Sequence, residues 1–217
     1  GKLCEEKKAE IGIDEEEFAK GRRGRKKQTI KRLDEQLQQY RQWLLNLKIC
    51  DPACGSGAFL NQAFEFLLQE HNYVTELDAQ LHARVDATTT QTAFGVVDFE
   101  NDILEKNLYG VDINEESVEI ARLSLWLRTA KKGRKLTSLS SNIKVGNSLI
   151  DDPAVAGELA FNWQEQFPGV FEQGGFDVVI GNPPYVQSHS LDEPTKRFIY
   201  ECYLTAEYQI NTYAVFM

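Results

Sequence analysis

From about Gln28 the apolar residues Ile30, Leu33, Leu37, Tyr40, Leu44 and Leu47 recur at helical spacing, which predicts an amphipathic helix. The twenty residues at the start are acidic, with four consecutive acids from Asp14 to Glu17, and show no such period. Beyond the helix the pattern changes to short apolar runs set between longer helical stretches. Leu47 to Cys50, Leu108 to Val111, Ile143 to Val145 and Phe176 to Ile180 read as strands, and Gly55 to Leu68, rich in Phe and Leu, reads as a helix. Asn114 before Glu115 and Glu116, with Lys131-Lys132-Gly133 further on, gives the start and stop signals of another helix. Four apolar strands separated by helices predict an α/β fold with a doubly wound, mostly parallel sheet, truncated after its fourth strand. Residues 71–107 are polar and Thr-rich, too long for a tight connection, and read as an insertion.

Composition narrows the class. The chain has 217 residues, 42% hydrophobic and 26% charged, which excludes a disordered or membrane-embedded protein. No stretch reaches the roughly 20 apolar residues of a spanning helix. Four scattered cysteines and three histidines offer no zinc spacing, so no metal is expected and a reducing, cytoplasmic setting is the simpler reading. Charge is uneven. Residues 1–50 hold 13 Lys and Arg against 9 Asp and Glu, whereas residues 51–217 hold 11 against 24. So acidic a body is a poor platform for nucleic acid on its own. The run Lys20-Gly21-Arg22-Arg23-Gly24-Arg25-Lys26-Lys27 reads equally as a contact for a DNA backbone or as the solvated start of a helix. A Met only at the last position, and an apolar run without a stop signal there, read as a piece of a longer protein.

Two segments carry candidate chemistry. Asp51-Pro52-Ala53-Cys54-Gly55-Ser56-Gly57 follows the first strand and enters a helix, at the sheet edge where doubly wound folds bind ligands. Gly55 and Gly57 let a ligand approach the main chain. The segment fits a dinucleotide fingerprint poorly. Leu60 stands where a third glycine belongs, and Asp112 comes 55 residues after Gly57 where about 20 is usual. The carboxylate of Asp51 repels a pyrophosphate but suits an ammonium or sulfonium group. Asp112, at the tip of the second strand, can accept both hydroxyls of a ribose. Cys54 reads as a small buried residue.

At the end of the fourth strand stands Gly181-Asn182-Pro183-Pro184-Tyr185. The prolines fix their own φ and hold the residues before them extended. The Asn182 side chain and the Pro183 carbonyl become two rigid acceptors, with the Tyr185 ring beside them. They suit the presentation of a planar amino group for alkylation. The adenine exocyclic nitrogen is a weak nucleophile because its lone pair is delocalised, and two acceptors favour a pyramidal nitrogen. Tyr185 can stack on the base, worth roughly 1–3 kcal/mol. The plain alternative is a Pro-Pro turn that ends a strand.

Together, Asp51 to Leu60, Leu108 to Asn114, Val145-Gly146-Asn147-Ser148-Leu149 and Asn182 to Tyr185 resemble the motifs of amino-group DNA methyltransferases acting on adenine N6, in the gamma order found in type IIG restriction–modification enzymes. The resemblance covers about residues 44–217 and implies a Rossmann-like S-adenosylmethionine-dependent methyltransferase domain after a charged, helical segment 1–43. It implies that Asp51, Ala53, Gly55 and Gly57 hold the methionine end of S-adenosylmethionine. Asp112 would bind the ribose and Ile113 would pack on the adenine. Asn147, where many relatives carry Asp, would meet its amino group beside Ser148. Asn182, Pro183, Pro184 and Tyr185 would hold the target base, flipped because a paired amino group is out of reach. Double-stranded DNA is the implied partner, bound through the full-length protein. No membrane partner is implied, and an open sheet edge could let the piece self-associate. An upstream Thr-Pro pair usual in the family is absent, for residues 1–50 contain no Pro. Methylation of RNA or of a protein glutamine shares the same acceptor chemistry, and a non-catalytic donor-binding module is a third reading. Cytosine C5 methylation is disfavoured, because no Cys follows either proline.

Overall fold

The acidic start of the chain is helical: Lys2–Ile11 (α1) and Glu15–Ala19 (α2). The computed structural model describes residues 1–82, 99–129, 139–203, 205, 212, 215 and 216. The apparent lack of pattern in the first twenty residues is thereby corrected. Each short helix buries one side chain, Cys4 and Phe18, and a single buried residue sets no period. Their ends are well made. Gly12 closes α1 with φ 79°, while Asp14 caps α2 by accepting from the Glu16 N–H at 3.0 Å.

The chain forms two units, Gly1–Leu47 with Glu65–Ile103, and Lys48–Phe64 with Leu104–Met217. In the first, Lys27–Asn46 (α3) buries Ile30, Leu33, Leu37, Tyr40 and Leu44, the face its spacing predicts. Tyr40 donates to Glu70 at 2.7 Å and Lys8 pairs with the same carboxylate at 3.0 Å.

The helix expected over Gly55 to Leu68 spans Ala58–His82 (α4). It therefore continues into the stretch read as an insertion, and Phe99–Lys106 (α5) occupies its far end. Val74, Leu77, Asp78 and Leu81 are buried, so a fully buried acid interrupts the apolar count. Thr88 to Thr90 and the stop signal Lys131 to Gly133 lie outside the described residues.

In the second unit the strands are Ile49–Asp51 (β1), Leu108–Asp112 (β2), Ile143–Val145 (β3) and Val178–Val179 (β4), the last shorter than its apolar run. Their order is β3-β2-β1-β4 and every pairing is parallel. Ile49, Cys50 and Leu108 to Val111 are buried, as continuous apolar strands under helices require. β4 pairs only with β1 among the described strands, and Val179 is exposed.

Glu115–Thr129 (α6) buries Val118, Ala121 and Leu125. Its first turn is capped by Asn114, which accepts from the Ser117 N–H at 2.9 Å. After β3 come three one-turn helices, Pro153–Ala156 (α7), Trp163–Gln166 (α8) and Pro168–Phe171 (α9). Around them Phe161, Trp163, Phe167, Phe176 and Tyr109 meet largely edge to face. Glu193–Cys202 (α10) is capped by Asp192 and buries Ile199 against Leu149, Leu191 and Tyr203. No described helix is long and apolar enough to cross a membrane. The chain leaves β1 through β2 to β3 and returns on the other side at β4. The order therefore reverses between β1 and β4, the point where such sheets bind ligands beyond their carboxyl ends.

Candidate active site

The glycine turn is built by backbone geometry. Gly55 and Gly57 have φ of 50° and 82°, a region that only glycine enters without strain. At Gly57 the added Cβ of any other residue would stand 3.0 Å from the Ala121 Cβ, because α6 passes close. At Gly55 nothing lies within 4 Å of that position, so the turn is open on one side. Asp112 ties the turn to β2. One of its oxygens accepts from the Gly55 N–H at 2.8 Å and the other from the Asn114 N–H at 2.9 Å. Cys54 is buried behind, its N–H donating to the Val111 carbonyl at 2.9 Å.

Asp51 is 1% exposed. Its Oδ1 accepts from the Ala53 N–H at 3.1 Å, while Oδ2 is buried with no hydrogen-bond partner among the described residues. Burial pushes its pKa up to about 6; the Ala53 amide opposes this and the negative Asp112 adds to it. A buried acceptor left unmatched is costly. The two motifs meet at this carboxylate. A Cβ on Gly181, at the end of β4, would stand 2.6 Å from Asp51 Oδ1.

Above them lies a cavity of ≈ 390 Å³, within the usual range of ligand sites, roughly 300–1,000 Å³. Ala53, Asp112, Ile113, Asn147 and Ser148 line it, together with Asn182 and Pro184. Ile113 presents an apolar side chain that is 55% exposed. Asp51, Gly55, Gly57, Pro183 and Tyr185 are not among the lining residues. Tyr185 is itself exposed and donates to Asn182 Oδ1 at 3.3 Å.

The loop that bears Asn147 and Ser148 is held from several sides. Asn147 donates its N–H to the Leu159 carbonyl at 2.6 Å, and its Oδ1 accepts from the Leu149 N–H at 3.2 Å. Trp163 donates to the Ser148 carbonyl at 2.9 Å and Tyr203 to the Leu149 carbonyl at 2.7 Å. The Phe161 ring leaves no room for a Cβ at Gly146.

Residues that sequence reasoning missed complete the wall: Leu191, Thr195 and Ile199 of the α10 region, with Thr212 and Phe216. Thr212 also fastens the second motif. Its hydroxyl donates to the Pro184 carbonyl at 2.6 Å and accepts from the Val186 N–H at 3.1 Å, and its own N–H donates to the Val186 carbonyl at 2.9 Å. The start of α10 was readable from Asp192-Glu193-Pro194, a cap followed by Pro in the first turn. Nothing local marks Thr212. In the first unit, Asp34, Asp78 and His82 are the only described group with metal-ligand character. Their imidazole already contacts both carboxylates, at 3.3 and 3.0 Å.

The family profile described as Eco57I restriction-modification methylase matches residues 106–217. The chain is 31% identical over 188 residues to the type II restriction enzyme and methyltransferase RM.Eco57I of Escherichia coli, covering 80% of the chain and 18% of that protein. It is 30% identical over 164 residues to the adenine-specific methyltransferase PglX of Streptomyces coelicolor, covering 64% of the chain and 12% of that protein. Among solved structures, the type IIL restriction-modification enzyme MmeI in complex with DNA matches with a TM-score of 0.47 and 24% identity, over 77% of the chain and 21% of MmeI. The chain thus spans less than a fifth of the length of these curated relatives.

Proposed function

The chain belongs to the Eco57I restriction-modification methylase family, and from that premise we propose that it is the methyl-transfer portion of a site-specific DNA methyltransferase acting on adenine N6. The observation that carries the reading is the ≈ 390 Å³ cavity whose wall draws on both motifs. Residues 44–217 form the methyltransferase part in this reading and residues 1–43 the segment that leads into it. The enzyme works in the cytoplasm, on duplex DNA bound through the full-length protein.

The residues fit S-adenosylmethionine as methyl donor. Asp51 Oδ2 is a buried acceptor that lacks a partner among the described residues, beside a turn open at Gly55. The bound donor supplies an electrophilic methyl group on a sulfonium. Asp51, Ala53 and the main chain at Gly55 and Gly57 hold its methionine end. Asp112 keeps lone pairs for the ribose beyond its two amide contacts. Ile113 offers an apolar surface to the adenine, and Asn147 and Ser148 lie beside it. The oxygens of Asn182 and Pro183 accept the two N–H bonds of the target amine, and the exposed Tyr185 ring takes the face of the base. The lone pair then points away from both acceptors; methyl transfer to it would break the donor's sulfur–methyl bond, leave a neutral thioether and release one amine proton to solvent.

The decisive test is incubation of the full-length protein with duplex DNA and donor, followed by nucleoside analysis. N6-methyladenine is the expected product. Transfer to RNA or to a protein glutamine, with none to DNA, overturns the reading.

Asp51 makes donor binding depend on pH. Its folded pKa, about 6, lies above its ordinary 3.8. The free protein therefore holds the proton across the window from about 4 to about 6, and burial of this group costs stability as pH rises through that window. A cationic ligand favours the carboxylate. Donor affinity should rise by up to about tenfold per pH unit below 6 and level off above 7. Calorimetry should detect proton release near pH 6. An affinity that is flat from pH 5 to 8 contradicts the role of Asp51.

A further inference from the structure

The donor cavity leaves the most basic part of the chain unused. Between positions 20 and 32 stand eight Lys and Arg and no acid, in a chain of net charge −9. Most of this run is not helix. Residues 21–26 form a loop, Gly21 and Gly24 take φ of 61° and 77°, and α3 begins only at Lys27.

Some of the cations serve the fold. Arg25 donates to the Glu17 carbonyl, Arg32 pairs with the Glu17 carboxylate at 2.6 Å, and Lys31 pairs with Glu35 at 3.3 Å. Lys20, Arg23, Lys26 and Lys27 are exposed, and their side chains make no ion pair or hydrogen bond among the described residues.

The position of this charge is unfavourable for the protein alone. The start of a helix carries about half a positive charge and favours acids. In the same unit α2 obeys that rule, with Glu15, Glu16 and Glu17 in its first turn behind the Asp14 cap. α3 does the opposite: its N-cap is Lys26, which makes no side-chain cap bond, and its first turn holds no acid. A merely solvated helix start gains nothing from that arrangement, whereas a bound polyanion offsets both the crowding and the helix end. Residues 51–217 carry 11 cations against 24 acids, so a protein that handles DNA must gain its phosphate contacts elsewhere.

We propose that the segment Lys20–Lys27 is a sequence-independent contact for the phosphates of duplex DNA, made by Lys20, Arg23, Lys26 and Lys27. The inference rests on DNA being the substrate, as proposed above. Four cations on a glycine-containing loop and the helix ends beside it can follow a charged backbone; no side-chain partner fixes them in a geometry that reads base edges.

The test compares the full-length protein with a variant carrying Lys20→Gln, Arg23→Gln, Lys26→Gln and Lys27→Gln. Duplex binding without donor is titrated from low to moderate salt. Each lost phosphate contact should lower the slope of log affinity against log salt by about 0.9, so the slope should fall by about 2 to 4. Affinity at low salt should drop at least about tenfold, equally for specific and random duplexes. Donor affinity should stay unchanged and the thermal midpoint should not fall, and a variant with Lys20→Arg, Lys26→Arg and Lys27→Arg should keep the original slope. An unchanged slope, or a loss confined to one recognition sequence, overturns the proposal. Binding is read apart from methylation, so the two readings fail separately. An unchanged slope in a protein that methylates DNA sinks only the loop. A protein that methylates RNA alone, with the loss seen only on RNA, sinks the DNA assignment of both.

Discussion

Asn182→Ala should slow methyl transfer by about 10²–10³-fold at saturating donor and DNA, with donor affinity within about twofold of the original. The magnitude is that of removing one preorganised polar group aimed at charge that develops in a transition state. The amine gains positive character as the new bond forms, and an acceptor on its N–H then binds more strongly than in the ground state. Asn182 is suited to this because its present bond is weak. The Tyr185 hydroxyl donates to its Oδ1 at 3.3 Å, long for an O–H donor, and Asn182 itself is exposed at the cavity wall. A target amine can displace that contact at little cost. The next residues are held firmly, since Thr212 fastens both Pro184 and Val186, so loss of the side chain leaves the loop in place. Single-turnover rates report the step and calorimetry reports the donor. Methylation that continues at the original rate removes the proposed role. A parallel fall in donor affinity would instead make Asn182 part of the donor pocket.

The strands were legible because parallel strands buried under helices are largely apolar, as Leu108 to Val111 shows plainly, although Lys144 interrupts β3 and Val179 of β4 is exposed. So were Asn114 as a cap and the two glycines, whose positive φ at 55 and 57 answers a local geometric demand. Three things were not. α1 and α2 bury one residue each, below what periodicity detects. In α4, buried His71 and Asp78 stand on the inner face and make a long helix look like a polar break after residue 70. The outer wall of the cavity depends on Thr212 hydrogen bonds spanning 26 and 28 residues. Proximity of that kind is a property of the folded chain and leaves no trace in spacing. The raised pKa of Asp51 belongs to the same class, since it comes from burial, and Gly181, far along the sequence, packs against that carboxylate.

Gly181→Ala should damage both the fold and the donor site, although it adds only one carbon. That carbon would stand 2.6 Å from Asp51 Oδ1 and 3.2 Å from its Cγ, and Gly181 already has a φ of 148° that side chains rarely adopt. The carboxylate cannot swing aside, because it is 1% exposed and held by the Ala53 amide at 3.1 Å. Either Asp51 leaves its place in the glycine turn or β4 retreats from β1, where Ile180 donates to the Cys50 carbonyl at 2.8 Å. Overpacking of this kind costs about 1–3 kcal/mol, measurable as a lower midpoint of urea unfolding, and donor binding should fall with it. Gly55→Ala makes the contrast. It adds the same carbon at φ 50° with nothing within 4 Å, so only the backbone term of roughly 1–2 kcal/mol applies. The clash is isolated by combining Gly181→Ala with Asp51→Ala. Removing the carboxylate should make the double variant more stable than the sum of the single losses predicts, a coupling that contacting residues show and distant ones do not. If the losses simply add, the two motifs do not meet at this carboxylate, and the shared wall of the cavity must have another origin.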